Sequence, residues 1–293
     1  MIAAKPLRLT GLADFPLPAL PDETDKNARG RVLVVGGGAW GPGAPLLTAL
    51  AAFRAGAGKV QIAAAPPFAA ALATAIPEAA ILTVASGPDG EFRREAGDEL
   101  IASAELADAV VVGPGMIDET VGAHLACTLA GGPGQAAFVI DAGALTSLSP
   151  DRPVAGTEGR LVITPHAGEM ARLLGRPKAT IVADPLGAAR EVAAGVNAVV
   201  VMKGARTYVV SPDGQAWLHR DGVVGLATSG SGDVLAGIIG GLLARRAPPL
   251  TAAAWGVCVH ARAGRRLSRQ VGTTGFLARE LLAEIPRIIE RGA

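Results

Sequence analysis

The feature that most constrains this chain is a rhythm of short β-branched and aliphatic runs separated by alanine-rich stretches. The runs are Val32–Val35, Lys59–Ala63, Val110–Val112, Phe138–Ile140, Leu161–Ile163, Val199–Met202 and Tyr208–Val210. Several are apolar from end to end, without the polar alternation of a half-exposed strand. Such strands need cover on both faces, as parallel strands between layers of helices have. Helical patterns fall between them, at about Pro45–Ala55, Phe68–Thr74, Val121–Leu129, Glu169–Leu174, Asp184–Ala194, Val234–Ala244, Leu250–Leu267 and Ala278–Arg291. The alternation predicts an open α/β sheet in one domain over residues 30–293, preceded by an extended arm over 1–29. Only Tyr208–Val210 and Gln215–His219 differ, because Ser211-Pro212-Asp213-Gly214 between them reads as a hairpin turn.

Composition narrows the function classes. Half of the 293 residues are hydrophobic and 3% are aromatic, so the core is aliphatic. A net charge of +1 gives no reason to expect nucleic acid or an acidic membrane. The two cysteines, Cys127 and Cys258, suggest neither a disulfide framework nor a zinc cluster and read as core thiols. Cys258 and His260 stand two apart and so point to different faces of a helix. Pro6, Pro16, Pro18 and Pro21 break up the N-terminus, which carries no cleavable signal pattern. The apolar runs Leu46–Phe53 and Val234–Ala244 fall short of the ~20 residues of a membrane span, so a cytoplasmic protein is expected.

The informative residues cluster by position. Val35 is followed by Gly36-Gly37-Gly38, Val112 by Gly113-Pro114-Gly115, and Ile140 by Asp141. Ile163 is followed by Thr164-Pro165-His166, and Met202 by Lys203-Gly204. In a parallel sheet the carboxyl ends of strands form one edge, where ligands bind, so five scattered motifs become one candidate crevice.

The stretch Ala227–Gly237 carries the most chemistry. Its glycines and hydroxyls lead into an apolar helix, a combination that bares backbone N–H groups to phosphate. Asp233 would repel that phosphate, which points to a base; a simple helix cap is the alternative. Gly36–Gly41 fits the spacing G-x-G-x-x-G, but the next strand, Lys59–Ala63, lacks the acid a dinucleotide site needs. A tight turn admitting another ligand is favoured. Thr164–Glu169 offers an imidazole and a carboxylate for a substrate or metal-bound water, or else a loop histidine and a first-turn acid. Asp141 could act in catalysis or on a metal, with capping the safer expectation. Lys203–Thr207 supplies two cations and a hydroxyl suited to a nucleotide phosphate, unless they are solvated loop charges. No P-loop is present, and His124, His219 and His260 lack partners at ligand spacing.

Taken in order, these segments resemble one family, the ADP/ATP-dependent NAD(P)H-hydrate dehydratases of the ribokinase-like superfamily. The likeness runs through Gly30–Gly37, Pro42–Ala44, Arg54–Gly58, Gly113–Gly115, Val139–Ala142 with Ala144-Leu145, Thr164–Glu169, Lys203–Thr207 and Gly225–Gly237. It implies a ribokinase-like three-layer α/β/α sandwich with a mostly parallel central sheet. It also implies repair of hydrated NADH or NADPH: ADP or ATP phosphorylates the S-epimer's hydroxyl, and loss of phosphate restores the reduced ring. By that likeness Asp233 is the base, and Gly230, Ser231 and Gly232 form the anion hole. Ala44, Gly115, His166 and Asp233 then line the hydrate pocket, and Lys203, Gly204, Ala205, Arg206, Thr207 and Gly232 contact the nucleotide. Mg²⁺ would bridge the phosphates through water near Glu169. A homotetramer and a separate epimerase partner are implied too.

The departures are Gly143 in place of a second acid, Met116-Ile117 after Gly-Pro-Gly, Trp40 or Gly41 near the place of a tyrosine, and Ser231 where threonine is commoner. A ribokinase-like small-molecule kinase, acting on a vitamin-precursor alcohol for example, shares the glycine loop and aspartate. A nucleotide-binding protein without turnover is a third possibility.

Overall fold

The computed structural model of the chain describes residues 3–19, 25–148 and 153–292. The strands are β1 Lys5–Pro6, β2 Arg31–Val35, β3 Lys59–Ala64, β4 Ala80–Thr83, β5 Ala109–Val112, β6 Ala137–Ile140, β7 Leu161–Ile163, β8 Val199–Met202, β9 Thr207–Val210 and β10 Ala216–His219. The helices are α1 Ala44–Arg54, α2 Pro66–Ala75, α3 Ala96–Glu105, α4 Glu119–Ala130, α5 Ala167–Leu174, α6 Lys178–Ala183, α7 Pro185–Gly195, α8 Ser231–Ala244, α9 Pro249–Gln270 and α10 Ala278–Gly292. Strands and helices expected from the apolar rhythm are all present, and β1, β4, α3 and α6 are additions to it.

All ten strands join one sheet in the order β1-β10-β9-β8-β7-β6-β5-β2-β3-β4. From β2 the chain steps outward through β3 to β4, then returns to β5 on the other side of β2 and steps the opposite way. The reversal between β2 and β5 is the topological switch point, where neighbouring loops part and leave a crevice. Only β9 runs antiparallel to its neighbours, as the Pro-Asp-Gly turn requires. The proposed arm does not hang free where it is described. Its β1 pairs with β10, Leu7, Leu12 and Phe15 are buried, and the Phe15 carbonyl accepts from Trp255 Nε1 at 2.7 Å. Residues 1–2 and 20–24 of that arm, Pro21 among them, lie outside the described residues.

The central strands are dry on both sides, and their side chains alternate between two cores. Val32 and Val34 face a cluster with Ala49, Ile239 and Leu281 from α1, α8 and α10, while Leu33 and Val35 face one with Leu100, Leu125 and Val192 from α3, α4 and α7. A period of two inside an unbroken apolar run is what burial between helical layers produces. Helix α8 is apolar almost all round because it is wedged between α1 and α9. Its glycines make the wedge possible: a Cβ on Gly237 would stand 2.2 Å from the Thr48 carbonyl oxygen. Cys258 is buried as expected, but Cys127 is exposed, because its position on α4 faces away from the sheet.

Candidate active site

The five motifs at strand ends do converge. β2, β5, β6, β7 and β8 are consecutive in the sheet, so Gly36–Gly38, Gly113–Gly115, Asp141, Thr164–His166 and Lys203 stand side by side along one edge. The glycines are there for chain crossing. A Cβ on Gly36 would meet the Pro114 carbonyl oxygen at 2.3 Å, and one on Gly115 would meet the Gly41 oxygen at 2.4 Å and the Ala44 Cβ at 2.7 Å. Two loops thus interlock at the switch point, which accounts for the G-x-G-x-x-G spacing without a dinucleotide. Ala44 and Gly115 touch each other on this side, as a shared hydrate pocket would need.

Asp141 does not cap the turn after β6, contrary to expectation: that turn has no side-chain cap. Its Oδ1 instead accepts from Thr164 Oγ1 at 2.6 Å and from Lys203 Nζ at 2.8 Å. The reason is the register, since β6, β7 and β8 bring three strand ends together and a buried carboxylate takes the cation offered. Ala142, at φ 49°, makes the left-handed step that turns the chain away behind it. Lys203 Nζ also lies 3.6 Å from Glu169 Oε2, and the carboxylates around it hold its ammonium above the usual lysine range despite burial.

His166 and Glu169 close the start of α5 on each other. His166 Nδ1 accepts from the N–H groups of Gly168 and Glu169, and Glu169 Oε2 accepts from the His166 N–H at 2.8 Å. His166 Nε2 stands 3.1 Å from Glu169 Oε1, which places the imidazole hydrogen on Nε2. Burial lowers the His166 pKa, with the Glu169 charge acting the other way.

The start of α8 is built the other way. Gly230 caps it in the left-handed region, φ 87°, where Leu47 and Ala278 leave no room for a Cβ. No side chain caps this helix. Ser231 N–H reaches the Thr228 oxygen at 3.3 Å, whereas those of Gly232 and Asp233 have no partner among the described residues. The N–H groups at the start of α8 that stand without a partner among the described residues are thus those of Gly232 and Asp233, and Ser231 has its hydroxyl to offer. Asp233, the third residue of the helix, is mostly buried. Burial first, and then the Asp141 charge, push its carboxyl up to about 7, with Lys203 pulling the other way. Thr48 Oγ1, from the second turn of α1, lies 3.2 Å from the Asp233 carbonyl oxygen and 3.0 Å from that of Ala44, tying the start of α8 to the start of α1.

A cavity of about 760 Å³ opens between the β7–β9 strand ends and α8–α9, lined among others by His166, Lys203, Gly204, Ala205, Thr207, Ser231 and Gly232. Most of the nucleotide-side expectation is therefore gathered in one space, while Arg206 is exposed and outside its lining. Sequence reasoning passed over His260, which lines the same cavity and hydrogen-bonds Ser231. Its only local signal was a histidine on an otherwise apolar helical face. No three His, Cys, Asp or Glu residues among those described are disposed to hold a metal ion. The edge carboxylates already face Lys203 and His166, so the described residues do not fit a resident metal held directly by the protein.

Residues 32–287 match the family model described as NAD(P)H-hydrate dehydratase. An ADP-dependent (S)-NAD(P)H-hydrate dehydratase of Xanthomonas campestris pv. campestris is 48% identical over 94% of this chain and 93% of its own length. The enzyme of the same description from Neisseria meningitidis serogroup B is 38% identical over 90% and 86%. The bifunctional repair enzyme Nnr of Moorella thermoacetica is 39% identical, but the chain spans about half its length, 52%. Among solved structures, the ADP/ATP-dependent NAD(P)H-hydrate dehydratase of Bacillus subtilis, co-crystallised with ATP and Mg²⁺, superposes with a TM-score of 0.85 at 28% identity and full coverage of both chains. A hydroxyethylthiazole kinase of Pyrococcus horikoshii, with a TM-score of 0.58 at 17% identity, shares the fold alone. With the ribokinase-like sheet, the interlocked glycine loops and the uncapped α8 start all in place, the chain belongs to the NAD(P)H-hydrate dehydratase family.

Proposed function

We propose that this protein repairs hydrated nicotinamide nucleotides, using ADP or ATP to dehydrate the S-epimer of NADH or NADPH hydrate. The observation that carries this is the start of α8, where a carboxyl poised near neutrality stands beside two N–H groups without a partner among the described residues and feels the Lys203 ammonium. A base with a pKa near 7 can accept the hydrate's hydroxyl proton without being protonated out of use. The freed oxygen attacks the terminal phosphoryl, β of ADP or γ of ATP, and AMP or ADP leaves. The Gly232 and Asp233 N–H groups, the Ser231 hydroxyl and Lys203 stabilise charge on the transferring oxygens. Phosphate then departs from the ring carbon as the ring nitrogen's lone pair moves in, and the neighbouring ring carbon gives up a proton to the departing phosphate or to water, which closes the ring double bond and restores the reduced nicotinamide. Hydroxide would leave poorly; phosphate leaves well.

The nucleotide occupies the 760 Å³ cavity with its phosphates at Lys203–Thr207 and Gly232. The hydrate lies across Ala44, Gly115 and His166. Mg²⁺, which readily keeps its waters, would be carried in by the nucleotide phosphates, and Glu169 would meet it only through water. A tetrameric assembly, a cytoplasmic site of action and cooperation with a separate epimerase complete the proposal. Among the described residues no helix is long and apolar enough to cross a membrane.

Incubation with chemically prepared NADH hydrate, Mg²⁺ and either nucleotide tests it. Absorbance of the reduced nicotinamide and free phosphate should rise together. A stable phosphorylated product without phosphate release would mark a kinase instead.

A further inference from the structure

Ser231 opens α8, and its backbone N–H is already committed to Thr228. The one hydrogen it can still present to an anion is that of its hydroxyl. His260, in the middle of α9, rests against it: Nε2 lies 2.9 Å from Ser231 Oγ and 3.0 Å from the Ser231 carbonyl oxygen. A carbonyl oxygen only accepts, so this geometry needs the imidazole hydrogen on Nε2. The hydroxyl oxygen shares that same hydrogen as a second acceptor. It therefore cannot donate to Nε2, and its own hydrogen is left to turn toward the cavity both residues line.

We propose that His260 is a positioning residue, whose Nε2–H grips the oxygen atoms of Ser231 and so aims the Ser231 hydroxyl hydrogen at the transferring phosphoryl group. This rests on the assignment of the α8 start to phosphoryl transfer. The opposite tautomer would take the hydroxyl hydrogen for itself and leave a lone pair facing phosphate oxygens, which repels. Neutrality matters as well. Burial takes the His260 pKa down to about 4, and Lys203 and His219 act in the same direction, so the ring adds no second cation beside Lys203. The carboxylates of the edge cluster on Lys203, not on His260. The device spans 29 residues of sequence and two helices, which is why no local motif announces it.

The test is a mutant cycle on the hydrate assay at saturating nucleotide. His260→Leu should lower kcat about tenfold, the scale of one hydrogen bond to a charged group. His260→Gln, whose amide N–H can reach the same oxygens, should recover most of it. In a Ser231→Ala background His260→Leu should cost less than about twofold. An equal loss in both backgrounds would show that His260 acts through packing alone, and would overturn the proposal. So would a wild-type rate in His260→Leu. If the leucine variant fails to fold, His260→Asn, too short to reach Ser231, replaces it. A second readout needs no turnover. ¹⁵N spectra of the wild-type imidazoles, assigned by the signal lost in His260→Gln, should show a neutral Nε2–H ring down to about pH 5. An Nδ1–H ring would end the proposal even if the dehydratase assay succeeds, and an Nε2–H ring would keep it standing as geometry if that assay fails.

Discussion

Helices α5 and α8 start at the same edge of the sheet, each with an acid as its third residue, and they use it in opposite ways. In α5 the acid is Glu169, and its carboxylate is matched by the backbone N–H and ring of His166. In α8 the acid is Asp233, the cap is a bare Gly230, and the carboxyl is pushed up to about 7. An acid in a first turn normally gains from the helix dipole and from capping. Glu169 takes that gain. Asp233 stands among a desolvating core and the Asp141 charge, so that gain is outweighed and its carboxyl is pushed up to about 7. What separates the two acids is their surroundings, not their position along the helix.

The largest effect should come from removing the available acid. Asp233→Asn is expected to cut turnover by about 10³-fold or more, at the upper range for loss of a positioned base. Its stability should move the other way. Because the folded carboxyl is raised from 3.8 to about 7, its charged form destabilises the fold progressively above pH 4, fully above pH 7. The asparagine variant should thus be more stable than wild type at pH 8, by a margin on the order of 4 kcal/mol, and should show no gain at pH 3. Thermal melts at the two pH values check this, and equal melting at pH 8 would mean Asp233 is not strained by burial.

The neighbours of Asp233 should shift its titration in opposite directions. Lys203 lowers that pKa and Asp141 raises it. Lys203→Met should therefore move the acid limb of the kcat/KM profile to higher pH, with about a 10²-fold loss from the missing phosphate contact. Asp141→Asn should move the limb to lower pH with a smaller loss, since the amide oxygen can still accept from Thr164. Limbs that move together would show that Asp233 is not the group being titrated.

This contrast also measures how far the sequence could be read. The apolar runs gave the central strands because full burial leaves a signal in every residue, Val199–Met202 for instance. β4, half-exposed at the sheet's edge, and α3, with Asp98, Glu99 and Glu105 on its surface, left no such signal. The acid in the first turn of α8 and the small residues before it are legible locally, because Gly230, Ser231, Gly232 and Asp233 lie side by side, whereas the cap role of Gly230 is a matter of its left-handed backbone. Asp141 was misread as a cap because its partners, Thr164 and Lys203, are 23 and 62 residues away. His260 was set aside for the same reason. Local spacing reports helix starts, while charge pairing across strand ends is decided by sheet order.

The smallest effect should fall on the satisfied acid. Glu169→Gln keeps an oxygen for the His166 N–H but gives up the charge facing Lys203 and the His166 ring. A loss of about 1 kcal/mol in stability is expected, the usual scale of one weakened buried hydrogen bond. Turnover should stay within about threefold, because the proposed arrangement brings Glu169 to the phosphates only through water. The Mg²⁺ titration makes this decisive. If the metal rides on the nucleotide and touches Glu169 only through water, the half-saturating Mg²⁺ concentration should rise modestly in the glutamine variant, while kcat at excess Mg²⁺ holds. A kcat loss matching that of Asp233→Asn would make the two helix starts chemically equivalent, and the distinction between them would fail.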